Sequence, residues 1–174
     1  MNIRTATFAD EAGLLEICLD AFDGAENELV ARLASELLTT TSSPETITLV
    51  AEADDSLLGF VSFSPVRLNH ELLGYILAPL AVKSDGQRKG IGTKLVESGL
   101  HRLKQQNIRI LFVYGDPRYY SRFGFAVTSA DRYTPPYPLQ YPAGWQAIEF
   151  TGDASDDSGG VIECVPALHK PELW

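Results

Sequence analysis

Cysteine is scarce in this chain, and so are histidine and positive charge. The two cysteines in 174 residues, Cys18 and Cys164, are too few for a disulfide framework. Cys18 falls on the apolar stripe of an expected helix and Cys164 in an expected strand, so both are expected as structural thiols. The histidines, His70, His101 and His169, lie far apart with no ligand spacing, and no metal is expected. No apolar run approaches the roughly 18 residues of a membrane-spanning helix. The strand-like start, Met1 to Thr7, lacks the apolar stretch of a signal peptide, so a cytoplasmic location and no membrane partner are expected. Lys and Arg number 14 against 23 Asp and Glu, a net charge of −9. Nucleic acid binding wants clustered cations, so a nucleic acid partner is not expected. An acidic surface serves solubility and also suits a cationic ligand.

What is present is a globular composition. Hydrophobic residues make up 45% and aromatics 10%, enough for one domain over residues 1–174 with a substantial core. The chain is organised around Leu80 to Leu103. An apolar run, Ile76 to Val82, leads into a polar turn, Gly86-Gln87-Arg88-Lys89-Gly90-Ile91-Gly92. Behind it Leu95, Val96, Gly99, Leu100 and Leu103 recur at helical spacing. A strand, glycine turn and helix in that order aim several N–H groups at one point, at the positive end of a helix dipole. A phosphate or pyrophosphate suits such a nest. The nucleotide-triphosphatase loop fails, because Gly92-Thr93-Lys94 puts the Lys on the wrong side. The dinucleotide fingerprint fails too, because Leu95 stands where its third Gly belongs. A third pattern, Gln/Arg-x-x-Gly-x-Gly/Ala, fits Gln87 to Gly92 without a mismatch.

Around this stretch the patterning predicts further elements. Ile3–Thr7 reads as a strand. Asp10 is a plausible N-cap for a helix carrying Leu14, Leu15, Cys18, Leu19 and Phe22. A second helix spans Glu26 to Leu38. Thr46–Glu52 and Leu57–Val66 read as antiparallel strands about an Asp54-Asp55-Ser56 turn, with a weak point or bulge at Gly59. Leu68–Gly74 suits a loop or another hairpin before the strand Tyr75–Val82, and Pro79 implies an edge, a bulge or an interruption there. Ile108–Tyr114 then completes a right-handed βαβ unit with two parallel strands. Asp116-Pro117 opens a short helix, with Pro117 at its first position, that ends at Gly124. Phe125–Val127 can start a strand, and 131–144, dense in proline and tyrosine, is irregular. Trp145–Thr151 and Gly160–Val165 suggest a closing hairpin around an acidic turn at 152–159.

A second motif, Tyr120-Ser121-Arg122-Phe123-Gly124-Phe125, follows the glycine turn by one helix and one strand. In this order the two motifs resemble those of the GCN5-related N-acetyltransferases (GNAT), and Leu77-Ala78-Pro79-Leu80-Ala81-Val82 with the Gly115-Asp116-Pro117 run resembles their YhbS-like branch. The resemblance extends over nearly the whole chain. It implies the GNAT acyl-CoA N-acyltransferase fold, an α/β (α+β) arrangement with a central mixed, mostly antiparallel sheet, one parallel βαβ unit and flanking helices. It implies acetyl-CoA as cosubstrate and a small amine or peptide amine as acceptor, and dimers are frequent in the family. Backbone groups of Leu80 and Val82, on either side of Ala81, would pair with the pantetheine arm. The amides of Gln87, Arg88, Lys89, Gly90, Ile91 and Gly92, with Thr93 next in the helix, would hold the pyrophosphate, and Arg88 and Lys89 would add charge. Tyr120 matches the family's general acid, which protonates the departing thiolate.

The chemistry also needs a base. A Lys-like amine ionises at about 10.4, so its neutral form costs roughly 4.6 kcal/mol at pH 7. Family members often carry a carboxylate on the strand before the loop, and Leu77 to Val82 holds none. Glu26, Glu28, Glu71 and Asp116 are the remaining candidates, each also readable as a solvated charge. That gap leaves open an acyl-CoA-binding module without turnover, or a structural domain that binds no CoA. Tyr133, Tyr137, Tyr141 and Trp145 suit either an aromatic wall for a cation or lids over the core.

Overall fold

The computed structural model describes residues 1–150 and 159–174. In order these form β1 (Asn2–Thr5), α1 (Glu11–Ala21), α2 (Ala25–Thr39), β2 (Ile47–Ala53), β3 (Ser56–Leu68), β4 (Glu71–Val82), α3 (Ile91–Gln105), β5 (Ile110–Tyr114), α4 (Pro117–Tyr120), β6 (Tyr133–Thr134), β7 (Trp145–Glu149) and β8 (Gly160–Val161). A six-stranded mixed sheet runs in the order β1-β2-β3-β4-β5-β7, and β6 and β8 make a separate parallel pair. Strand β4 runs parallel to β5, and β5 antiparallel to β7. Contacts divide the chain into two compact units, Met1–Phe63 with Ala78–Arg102, and Ser64–Leu77 with Leu103–Trp174.

In the first unit, the helical spacing of Leu14, Ile17 and Cys18 turns one face of α1 onto Val30, Ala31 and Ala34 of α2 and onto Val50, Phe60 and Ala81 of the strands. Each such large side chain taken from water contributes about 1.5–3 kcal/mol. The hairpin between β2 and β3 turns on Asp54 and Asp55, both at positive φ (50° and 59°), as a two-residue turn requires. The expected bulge is present, because Ala51 faces Gly59 while Glu52 faces Leu57. Asp10 departs from expectation. It has helical backbone and makes no side-chain cap bond to α1. Its carboxylate instead accepts from the Thr7 N–H (2.7 Å) and Thr7 hydroxyl (3.0 Å) and from Arg4 through both terminal nitrogens (2.8 and 2.7 Å). The Arg4 guanidinium holds this carboxyl well below the usual range. Arg4, six residues upstream in β1, won Asp10 from the helix end.

In the second unit, β3 and β4 are joined through Asn69 and His70 at positive φ (51° and 68°), so the segment 68–74 is a hairpin. Phe112 stacks on Trp145 (centroids 5.1 Å, planes 6° apart) and meets the edge of Tyr133 (5.1 Å, 82°). The Trp145 indole donates to the Tyr133 carbonyl at 2.9 Å. Two expectations fail here. Phe125–Val127 forms only a single bridge, Ala126 to Ala147. The segment after residue 159 does not close a hairpin with β7. Gly160 and Val161 lie parallel to Tyr133 and Thr134, and Glu163 bridges Arg67. Gly159 has φ +71°, and a Cβ on it would run into the Arg132 carbonyl, so glycine is what lets the chain close against β6. The acidic turn expected at 152–159 lies, but for Gly159, outside the described residues. Both cysteines are free thiols, Cys18 buried and Cys164 half-buried in a loop, not a strand, and burial pushes each up to about 12.

Candidate active site

In the first unit the end of β4 and the start of α3 frame the glycine turn. The ladder with β5 covers only Tyr75 to Leu77, so Pro79 lies past its last pair and its missing N–H interrupts nothing there. On the other edge Lys83 donates to the Leu58 carbonyl at 2.9 Å, and the Ala81 carbonyl faces Gly59. Backbone groups alternate between the two edges of a strand. Leu80 and Val82 therefore turn theirs away from β3, while the Ala81 side chain is buried in the core. The Gln87 side-chain amide donates to the Val82 carbonyl at 3.2 Å, which ties the turn to the strand end, and its main-chain N–H, expected among the pyrophosphate donors, goes instead to the Ser84 carbonyl at 3.4 Å.

Asp20, in the last turn of α1, accepts from the Ser84 N–H and from its hydroxyl at 3.1 Å, and Glu16 pairs with Lys83 at 3.1 Å. The Ser84 bonds hold the Asp20 carboxyl below its ordinary value. Beyond this anchor the chain is bare. Gln87 to Gly90 are exposed, with Arg88 at φ +60° and Gly90 at φ +82°. The Gly90 carbonyl takes the first helical bond, from the Lys94 N–H at 3.0 Å. Among the described residues no main-chain carbonyl accepts from the N–H of Arg88, Lys89, Gly90, Ile91, Gly92 or Thr93. The Ile91 side chain is buried and fixes the first turn, which leaves these donors in a fixed array at the helix N-terminus.

In the second unit Asp116 caps α4 by accepting from the Arg118 N–H at 2.9 Å, and Pro117 takes the expected first position. The helix ends at Gly124, left-handed at φ +93°. That turn drives Phe125 into the core, where its ring meets the edge of Tyr120 (5.6 Å, 76°). Tyr119 and Phe123 close two more sides of Tyr120, at 5.0 and 6.5 Å. On the last side a Cβ on Gly115 would run into the ring. The Tyr-x-x-x-Gly-Phe pattern is thus a clamp that fixes one phenol. The Tyr120 hydroxyl has no hydrogen-bond partner among the described residues, and burial pushes this phenol above its ordinary value. It holds its proton through neutral pH.

Beside Gly115 lies a cleft of about 590 Å³, walled by Tyr114, Asp116, Arg118, Tyr141, Glu172 and Trp174. Only Tyr141 and Asp116 of these figure in the sequence-based expectations. The residues come from three separated segments, and no local pattern joins them. Of the expected aromatic wall, Tyr133 and Trp145 are core, Tyr137 meets the edge of His169 (6.4 Å), and Tyr141 lines the cleft, 67% exposed. The base candidates are dispersed. Glu26, Glu28 and Glu71 are exposed, Glu28 pairs with Arg32 at 3.4 Å, and Asp116 is held by Arg118 below its usual value. No group of three or more His, Cys, Asp or Glu that could hold a metal occurs among the described residues.

This mixed sheet with flanking helices and a glycine turn before α3 is the fold of an acyltransferase. Residues 44–127 match the acetyltransferase (GNAT) domain model. YjhQ of Escherichia coli K12, an uncharacterized N-acetyltransferase, is 30% identical over 172 residues, covering 92% of this chain and 93% of its own. The crystal structure of YhbS from Escherichia coli in complex with CoA superposes with a TM-score of 0.82 at 27% identity, over 97% of this chain and 92% of that one. A GNAT acetyltransferase from Brucella melitensis in complex with acetyl-CoA gives 0.64 at 31% identity, over 86% and 88%. The chain belongs to the GNAT acetyltransferase family.

Proposed function

We propose that the protein transfers the acetyl group of acetyl-CoA to a primary amine of a small molecule or peptide by direct attack. The observation that carries this reading is the run of unengaged amides from Arg88 to Thr93 at the α3 N-terminus. Six donors without a main-chain acceptor, with Arg88 and Lys89 exposed alongside, fit a diphosphate without any residue acting as a specific reader. Leu80 and Val82 supply strand-like donors and acceptors for the pantetheine amides. CoA and acetyl-CoA in the two related crystal structures support the same cosubstrate.

In the transfer, the amine nitrogen attacks the thioester carbonyl carbon. The C–N bond forms, the C–S bond breaks, and the sulfur leaves with the electron pair. One amine proton goes to water or a base, and Tyr120 offers its proton to the sulfur. A thiol ionises near 8.5 and an ordinary phenol near 10, so full transfer from a phenol raised further is uphill. Tyr120 therefore acts as a positioned hydrogen-bond donor in the transition state. The second reading, an acyl-CoA-binding module without turnover, is favoured by one feature, the lack of a carboxylate from Leu77 to Val82. Calorimetry with acetyl-CoA, followed by thiol release over a panel of amines, separates the two. Binding with turnover supports the enzyme, binding without product on any acceptor supports the module, and no binding removes both.

A further inference from the structure

We propose that the cleft beside Gly115 is the acceptor pocket and that it takes a small primary amine on an aromatic stem, an inference that rests on the acetyltransferase reading above. Its volume, about 590 Å³, lies within the range of small-molecule sites. Its walls are aromatic, with Tyr141 67% exposed and Trp174 largely buried at 9%. Tyr114 and Trp174 stack at 6.3 Å with planes 15° apart, and the exposed Tyr141 is anchored by its N–H, which donates to the Tyr114 hydroxyl at 2.9 Å. Such faces hold both an aromatic body and a cation.

The charge selects further. Asp116 and Arg118 neutralise each other at 2.9 Å, whereas the Glu172 carboxylate has no partner among the described residues. The cleft therefore carries a net negative charge, which favours an ammonium and opposes an acceptor bearing its own carboxylate. The floor makes no such choice. Gln146, 1% exposed, donates to the Gly115 and Gly144 carbonyls at 3.1 and 3.3 Å, and the Gly115 N–H donates to Gly144 at 2.9 Å. Selection falls to the rings and to Glu172. The link to the chemistry is Gly115, which lines the cleft and bears the Tyr120 ring against its Cα.

The chain has two tryptophans, and only Trp174 lines the cleft. Phenethylamine added without CoA is expected to change the tryptophan emission saturably, and phenylalanine, the same ring with a carboxylate, to bind about tenfold more weakly. Glu172→Gln and Tyr141→Ala should each raise the Kd and KM for phenethylamine roughly two- to fivefold. Acetyl-CoA affinity and thermal midpoint should hold in both, and Trp174→Phe should remove the emission change. Turnover of phenethylamine with unchanged KM in both variants, equal binding of phenylalanine, or no emission response overturns the cleft assignment and leaves the acetyltransferase reading standing. Wild-type protein that binds phenethylamine and ignores acetyl-CoA overturns that reading, and with it the acceptor role.

Discussion

From Arg88 to Thr93 the molecule offers a ligand main chain, whereas around Gly115 it offers rings and carboxylates. The first region is short and contiguous, exposed at Arg88 to Gly90, and its main-chain donors find no carbonyl among the described residues because a helix begins there. The second is assembled from Tyr114–Arg118, a segment near Tyr141, and Glu172–Trp174, over a floor whose polar groups are already satisfied. A main-chain site tolerates changes of side chain and fails when a Cβ intrudes. A side-chain site behaves the other way. On the proposed reading, a common cosubstrate would be held by backbone geometry and the particular acceptor by residue identity.

The largest expected effect breaks the main-chain half. Gly92→Val, placing a branched side chain among the donors, should weaken acetyl-CoA by at least about 100-fold, or roughly 2.7 kcal/mol, in calorimetry. Arg88→Ala and Lys89→Ala, by contrast, should each cost less than about tenfold, with the loss shrinking as salt rises. Equal losses across all three variants would erase the distinction. Next is Tyr120→Phe, expected to lower kcat by about 100-fold while leaving acetyl-CoA affinity unchanged. Because its phenol is raised, kcat/KM should show no alkaline loss from Tyr120 below about pH 10. An alkaline limb near pH 8 that vanishes in Tyr120→Phe would contradict that assignment.

A smaller effect is structural. Gly124→Ala forces a Cβ into a left-handed position and should lower stability by about 1 kcal/mol, with kcat falling more than thermal stability implies if the turn positions Tyr120. The smallest is Asp10→Asn, expected to cost about 1 kcal/mol, since Arg4 keeps Glu52 and water as partners. Asp10 is depressed in the fold, so its contribution is present above the unfolded carboxyl pKa of about 3.9 and is lost as pH falls through the lower folded value. Acid unfolding monitored below pH 4 should be shallower in the variant. Asp20 follows the same sign and anchors Ser84, so acetyl-CoA binding should weaken over that acid window.

The same contrast explains what could be read from residues alone. The glycine turn is local: spacing, glycines and the helical stripe behind it sit within 24 residues, Leu80 to Leu103. The βαβ unit, the bulge at Gly59 and the start of α4 at Pro117 were legible for the same reason. The Tyr120 clamp was half legible, because its motif is contiguous but Gly115, the residue that makes room for the ring, carries no signal of its own. The cleft was not legible, since Glu172 and Trp174 reach it only through tertiary folding. Asp10 and the segment after Gly159 misled for a related reason. After Gly159 a partner distant in sequence, the Arg132–Thr134 backbone, outcompeted the local pattern, and at Asp10 the nearby Arg4 and Thr7, six and three residues upstream, did so.

The most direct test follows the backbone amide resonances of Arg88 to Thr93 during a titration with CoA. The account predicts that these amides shift most among all residues, that inorganic pyrophosphate moves the same set in the same direction, and that Gly92→Val abolishes both responses. Tight CoA binding that leaves those six amides unmoved would contradict it.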